Sequence, residues 1–295
     1  MSMKIKESSS RKIFVLINTF LLCLIGFACV APMIHVLFCS FSDPTVIARE
    51  GGFRLWPVAP FSFEGYRAVL SYKNVLIGYG NTLIYVFGGV LLNLVLTISA
   101  AYVLSRKRFA PRGFVSMIFA FTMLFNGGMI PNYLLVVDLG LIDSRWALLL
   151  TSAFNTFNMI ILRNFFNQVP DSIIDSCRLD GASEFRVLIS FVVPLSKAGL
   201  ATIMLYYLVA KWDEWYWPSL LLSDVPDLKP LALKIREGLN NARPEGQGGG
   251  WDPSRVFAQG SNAAMIIIGL VPIMAIYPFL QKYFAQGVMI GAIKS

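Results

Sequence analysis

Ionised side chains are scarce in this sequence: Asp, Glu, Lys and Arg make up 14% of its 295 residues, against about 25% in an ordinary soluble domain. A water-facing surface on a chain of this length needs more charge, so a soluble enzyme, a disordered protein and a secreted disulfide module are poor readings. Histidine occurs once, as His35, which removes HExxH and His-rich metal sites; inside an apolar run it reads as a packing residue. Cys23, Cys29, Cys39 and Cys177 show no CxxC spacing, so free thiols are expected rather than a metal site or a disulfide framework. No phosphate-binding loop ending in Gly-Lys-Ser/Thr occurs, and the Gly246 to Gly250 run is followed by no lysine. The chain therefore lacks the usual machinery for ATP hydrolysis.

What it has is length in apolar runs. Hydrophobic residues make up 56% and the mean hydropathy is +0.63. A membrane-crossing helix needs about 20 largely apolar residues. Uncharged stretches run from Ile13 to Ser42, Asn74 to Ser105, Gly113 to Val137, Trp146 to Leu162 and Val256 to Gln281. A further span is expected from about Ala198 to Leu222, with Lys211, Asp213 and Glu214 near its outer end; a helix through Val187 to Ala210 instead would carry Pro194 and Lys197 in its middle. The first run exceeds the ~7–15-residue core of a signal peptide and reads as an uncleaved anchor. The expected fold is thus all-α and integral to the membrane, with six transmembrane helices.

Six spans place both termini on one side. Residues 1–12, 105–113, 163–197 and 282–295 hold 14 Lys/Arg and 5 Asp/Glu, whereas 41–75, 138–146 and 211–260 hold 11 and 12. Basic residues concentrate on the cytoplasmic side of membrane proteins, so 1–12 and the tail 285–295 are expected in the cytoplasm. The body, 13–284, is expected as a six-span transmembrane domain with the inner loop 163–197 and external loops 43–73 and 224–260. The Gly-, Pro- and Asn-rich stretch from Asn240 to Gly250 reads as a loop.

The inner loop 163–197 carries its own pattern. Pro170 suits a helix start, and Asp171 and Asp175 sit early in the following turn, where the helix dipole favours negative charge. Asp180-Gly181 ends that helix, with Gly181 able to take the left-handed conformation. Ser183 caps a second short helix, Glu184 to Phe191, closing at Pro194. Two short helices joined by a glycine form either an interfacial pair resting on lipid or a lever for a partner.

Asp175-Ser176-Cys177, three residues, Gly181, and the ending Val193-Pro194-Leu195 resemble the EAA loop of binding-protein-dependent ABC importer permeases of the MalG type. Gly181 and Pro194 fall at the family spacing, while Asp-Ser-Cys stands where Glu-Ala-Ala is the pattern. Trp56-Pro57, Phe61-Ser62-Phe63, Tyr66, Asn81-Thr82, Ala101 to Arg106, Trp212 to Pro218 and the tail from Gly287 to Lys294 are similar to family segments in the same order. The branch resembled most serves complex oligosaccharides, alginate among them.

The resemblance implies a type I importer permease with a cytoplasmic coupling helix, located in the bacterial inner membrane. It implies a second homologous permease subunit, two cytoplasmic ATPase subunits that bind ATP and Mg, and a periplasmic or extracellular solute-binding protein. No cofactor belongs to this chain, and no nucleic acid is expected as a partner. ATPase coupling falls on Asp175, Ser176, Cys177, Leu179, Asp180, Gly181, Ala182, Ser183, Glu184, Phe185 and Pro194. A second ATPase contact falls on Gly287, Gly291, Ala292 and Lys294. Contact with the binding protein falls on Asn240, Asn241, Arg243, Pro244, Glu245, Gly248 and Trp251. Asn126, Asn155, Asn158, Trp212 and Trp215 are candidates for the substrate path. Rival classes are an ion-gradient-driven secondary transporter, which wants ionisable residues at midplane depth, and an intramembrane enzyme, which wants paired Asp, Ser/His or metal motifs; neither pattern stands in the clear spans.

Overall fold

The computed structural model describes residues 9–43, 46–47, 52–57, 61–71, 73–241, 262–276 and 278. The chain divides into two units, residues 1–72 with 238–269, and 73–237 with 270–295. The described secondary structure is helical, apart from one isolated bridge between Ser42 and Phe61.

In the first unit, α1 (Ser9–Ser40) is a long apolar helix whose hydrophobic stretch stays exposed along its length. A helix apolar on every side is built for lipid or for another subunit, not for water. Its C-terminal end is tied down locally. The His35 ring nitrogen accepts the Arg54 backbone N–H at 3.0 Å and the ring stacks on Phe53. Ser40 shares a 2.7 Å hydrogen bond with the Tyr66 hydroxyl of α2 (Glu64–Ser71). The single histidine is thus a packing residue.

The second unit is built along α3 (Lys73–Ser105), a 33-residue helix. Toward its C-terminal end Ala101, Tyr102 and Leu104 pack with Met159, Leu162, Phe166, Ile174, Cys177, Val187, Val192 and Ile203. Toward its N-terminal end Tyr85 packs with Val136, Ala147, Leu148, Leu221 and Leu222. Between these clusters lies the polar residue Asn93.

The stretches expected as the third, fourth and fifth spans are each interrupted. Residues 113–137 form α4 (Arg112–Leu124) and α5 (Met129–Asp138), bent by 110°. The bend falls where Gly128 takes φ +93° and the Asn126 side chain accepts the Gly128 N–H at 2.9 Å, so side-chain chemistry replaces the helical bond. Residues 146–162 form α6 (Arg145–Thr151) and α7 (Thr156–Phe166), the latter capped by Asn155. The loop 163–197 contributes α8 (Asp171–Leu179) and α9 (Glu184–Val187), which continues through a π turn, Leu188–Val192, to Leu195. Pro194 offers no N–H to a carbonyl four residues back, and such frustrated turns widen to π geometry. After an 87° bend comes α10 (Lys197–Trp212), then a break at Asp213–Trp215 and α11 (Tyr216–Leu221).

Residues 226–228 form a 3-10 turn and Leu231–Asn241 forms α12, so Asn240 and Asn241, expected in a loop, end a helix. The last described helix is α13 (Asn262–Ile276), 15 residues against the 26 of the expected sixth run. Among the described residues two helices, α1 and α3, are long and apolar enough to cross a bilayer, and two bent pairs bring that number to four.

Candidate functional site

Two places in the second unit gather chemistry. The first is the elbow between α8 and α9. Asp180 closes α8, Gly181 follows at φ +79°, and the N–H groups of Gly181 and Ala182 bond the carbonyls of Arg178 and Cys177, each at 3.0 Å. This is a Schellman ending, which an L-residue at Gly181 would strain. Ser183 then caps α9 by accepting the Arg186 N–H.

Across the elbow, Arg178 bonds Asp175 at 3.1 Å on its own helix and Glu184 at 2.8 Å on the next. Tyr102 of α3 donates to the other Glu184 oxygen at 2.6 Å. The Arg178 and Tyr102 bonds hold the Glu184 carboxyl below its usual range, while partial burial opposes them. Beneath, Ile174 and Cys177 from α8 and Val187 and Leu188 from α9 are buried; above, Leu179 is 89% and Phe185 74% exposed. Cys177, placed by its motif position among the coupling residues, is only 7% exposed and packs in the core beneath. Asp175, Ser176, Asp180, Gly181, Ser183, Glu184 and Pro194 are exposed, and Ala182 is half-buried. Arg178 and Tyr102 were not nominated from the sequence, although the three-residue spacing of Arg178 from Asp175 marks a helical ion pair.

The second place is a cavity of about 330 Å³ beside the middle of α3, lined by Asn93, Ser152, Phe154, Asn155, Phe157, Asn158, Tyr206, Tyr207, Ala210, Lys211 and Glu214. It opens where the α6–α7 break exposes polar groups. Lys211 is 5% exposed; its ammonium donates to the Leu148 carbonyl at 3.1 Å and to the Ser152 hydroxyl. Leu148 belongs to the last turn of α6, whose carbonyls have no helical N–H partners, so the cation caps a helix end. Gly89 makes room for it: a Cβ there would stand 2.8 Å from the Lys211 Cε. Among the described residues no carboxylate comes within ion-pairing distance of Lys211. Asn93, 1% exposed, keeps its side-chain oxygen without a partner.

Of the five path candidates, Asn155 and Asn158 line this cavity, and Asn126, Trp212 and Trp215 do not. Asn126 is spent on the α4–α5 bend. Trp212 is buried edge-on against Tyr79, and the Arg236 guanidinium lies 3.4 Å over the Trp215 ring. Arg243, Pro244, Glu245, Gly248, Trp251, Gly287, Gly291, Ala292 and Lys294 lie outside the described residues.

Residues 93–290 match the model of the family described as "Binding-protein-dependent transport system inner membrane component". The chain belongs to this family. It is 36% identical over 290 residues to the polygalacturonan/rhamnogalacturonan transport system permease protein YtcP of Bacillus subtilis (strain 168), covering 95% of this chain and 97% of that one. It is 34% identical over 300 residues to protein LplC of the same organism, covering 98% and 97%. The fold matches a chain of a bacterial ABC transporter involved in the import of the acidic polysaccharide alginate, with TM-score 0.85 and 31% identity over 95% of this chain and all of that one. This permease is therefore a non-catalytic inner-membrane component of an ABC importer with the type I fold, and nucleotide binding and hydrolysis belong to separate ATPase subunits.

Proposed function

We propose that this permease forms half of the translocation path of an ABC importer for acidic oligosaccharides, with a second homologous permease completing it. In this reading two ATPase subunits act from the cytoplasm and a solute-binding protein delivers from outside. The chain makes six passes with both termini inside, its interrupted helices counting as single passes. The observation that carries the substrate class is Lys211, a buried ammonium that makes no ion pair within the described chain, on a cavity furnished with amides, hydroxyls and aromatic rings and one carboxylate, Glu214. Buried ionisable residues in membrane proteins are retained for a task, and a sugar carboxylate supplies the close ion pair that Lys211 does not make with Glu214. The relatives named for polygalacturonan and alginate point the same way.

Coupling runs through the elbow. Exposed Leu179 and Phe185 give a partner ATPase apolar knobs to seat, while Asp175, Arg178 and Glu184 hold the two helices as one piece. ATP-driven closure of the ATPases moves this piece, and the attached helices rock between inward- and outward-open arrangements. Residues 240–251 probe the binding protein, and 287–294 reach between the ATPases.

The test is uptake by proteoliposomes containing the whole transporter and its binding protein. Lys211→Met is expected to slow import of an oligouronide about 10- to 100-fold, the weight of a charge-assisted hydrogen bond, and to spare the reduced, neutral oligosaccharide of the same length. Equal loss for both sugars removes the carboxylate from the reading.

A further inference from the structure

We propose that a second cavity, formed where α3 and α7 end and α4 and α8 begin, binds a phosphate group, carried by an anionic phospholipid headgroup or free in solution. The site stands apart from the sugar path and does not depend on which sugar is carried. Its volume is about 550 Å³, far beyond the ~30 Å³ one water occupies. Arg106, Lys107, Arg112 and Arg163 line it, with Asp171 as the one lining carboxylate. Asp171 is already taken, at 2.8 Å, by Lys107.

Two of the arginines, buried Arg106 and half-buried Arg163, are incompletely used. Arg106 is 8% exposed; its Nε donates to the Ser105 hydroxyl at 2.9 Å and its Nη2 to the Phe166 carbonyl at 2.7 Å, while its buried Nη1 has no partner. Arg163 donates from Nη1 to the Ser116 hydroxyl at 3.1 Å, and its buried Nε has no partner. A guanidinium does not lose its proton, and an unpaired buried donor on a charged group is costly. Two arginines that line one net-cationic cavity, each with a nitrogen left without a partner, call for an anion with several acceptor oxygens, and the guanidinium fork fits phosphate in that way. A basic pocket between membrane helices at their cytoplasmic ends lies at headgroup depth, which gives the phosphate its nearest source.

The experiment uses the complete transporter, with partner permease and ATPases, in nanodiscs of phosphatidylglycerol or phosphatidylcholine. Native mass spectrometry counts lipid retained after detergent washing, and inorganic phosphate is titrated against the washed complex. The variants are Arg163→Gln and, at the half-buried rim, Arg112→Gln, with gel-filtration elution of the complex as the check on folding; if Arg163→Gln fails to assemble, Arg112→Gln decides. Phosphatidylglycerol retained over phosphatidylcholine, with occupancy about tenfold lower in an assembled variant, supports the site with lipid as its source. Saturable inorganic phosphate that displaces the lipid, or binds without it, supports the site with free phosphate as its source. The proposal is overturned by equal retention of both lipids without saturable phosphate binding. It is also overturned by binding that neither variant changes, or by binding seen only after the ATPases are stripped away.

Discussion

The elbow at Gly181 and the break between α6 and α7 are both interruptions of helix, yet they dispose of their loose ends in opposite ways. At the elbow the backbone satisfies itself through the Schellman bonds, the polar side chains pair across the joint, and apolar Leu179 and Phe185 are left facing outward. At the α6–α7 break the backbone is served by side chains, Lys211 on Leu148 and Asn155 on Asn158, and polar groups face a cavity. A joint that closes on itself presents a firm surface to be gripped. A joint held open by side chains presents exchangeable hydrogen bonds to something passing through.

The sharpest way to break this contrast is at Gly181. Its φ of +79° with open space around a built Cβ makes the penalty one of backbone alone, about 1–2 kcal/mol for an L-residue. Gly181→Val is expected to cut uptake by the reconstituted transporter about 30-fold, the upper end of that penalty at 1.4 kcal/mol per factor of ten, with membrane insertion intact. Gly181→Asn, which tolerates the left-handed region, retains more transport than Gly181→Val, and equal loss in the two detaches the effect from the turn. The Lys211→Met comparison of acidic and neutral sugars stands beside it in size. Replacing Leu179 and Phe185 together by Ser is expected to weaken ATPase association about tenfold, measured by co-purification across a salt series; apolar docking loses little with salt, so strong salt sensitivity in the parent contradicts it. Gly89→Ala displaces the Lys211 stem and is expected to raise the KM for the acidic sugar a few-fold while leaving ATPase association unchanged.

The smallest effect concerns pH. Because the folded Glu184 carboxyl titrates below its ordinary 4.5, its bonds to Arg178 and Tyr102 contribute fully above pH 4.5 and are lost as pH falls through the lower folded value. Limited proteolysis of the elbow is expected to quicken over that fall, and Glu184→Gln to flatten the dependence. An unchanged profile in the variant assigns the acid sensitivity to another group.

The elbow was legible from the chain because its signals are local: a capping serine, a glycine after aspartate and a proline near the helix start each act within a few residues. Exposure of Leu179 and burial of Cys177 were not, since motif position says nothing about which helical face meets α3. The long apolar runs revealed membrane residence but concealed their own breaks. Asn126-Gly127-Gly128 is as uncharged as its neighbours, and hydropathy does not register a turn. The cavity was half-visible: Asn155 and Asn158 were nominated, but Lys211 read as an outer-end charge. Its target, the Leu148 carbonyl, is 63 residues away, and no local pattern joins them.

α3 has a consequence of its own. Near its start Asn81 donates to the carbonyls of Asp227 and Lys229, Tyr85 to that of Leu228, and Thr82 accepts the Leu231 N–H; near its end Tyr102 holds Glu184. Asn81 and Tyr102 stand on one unbroken helix, about 31 Å of stiff rise apart. The chain thus owns a connecting rod fastened at both ends, and under the proposed coupling a stroke at Glu184 would be delivered to the root of α12 without slack.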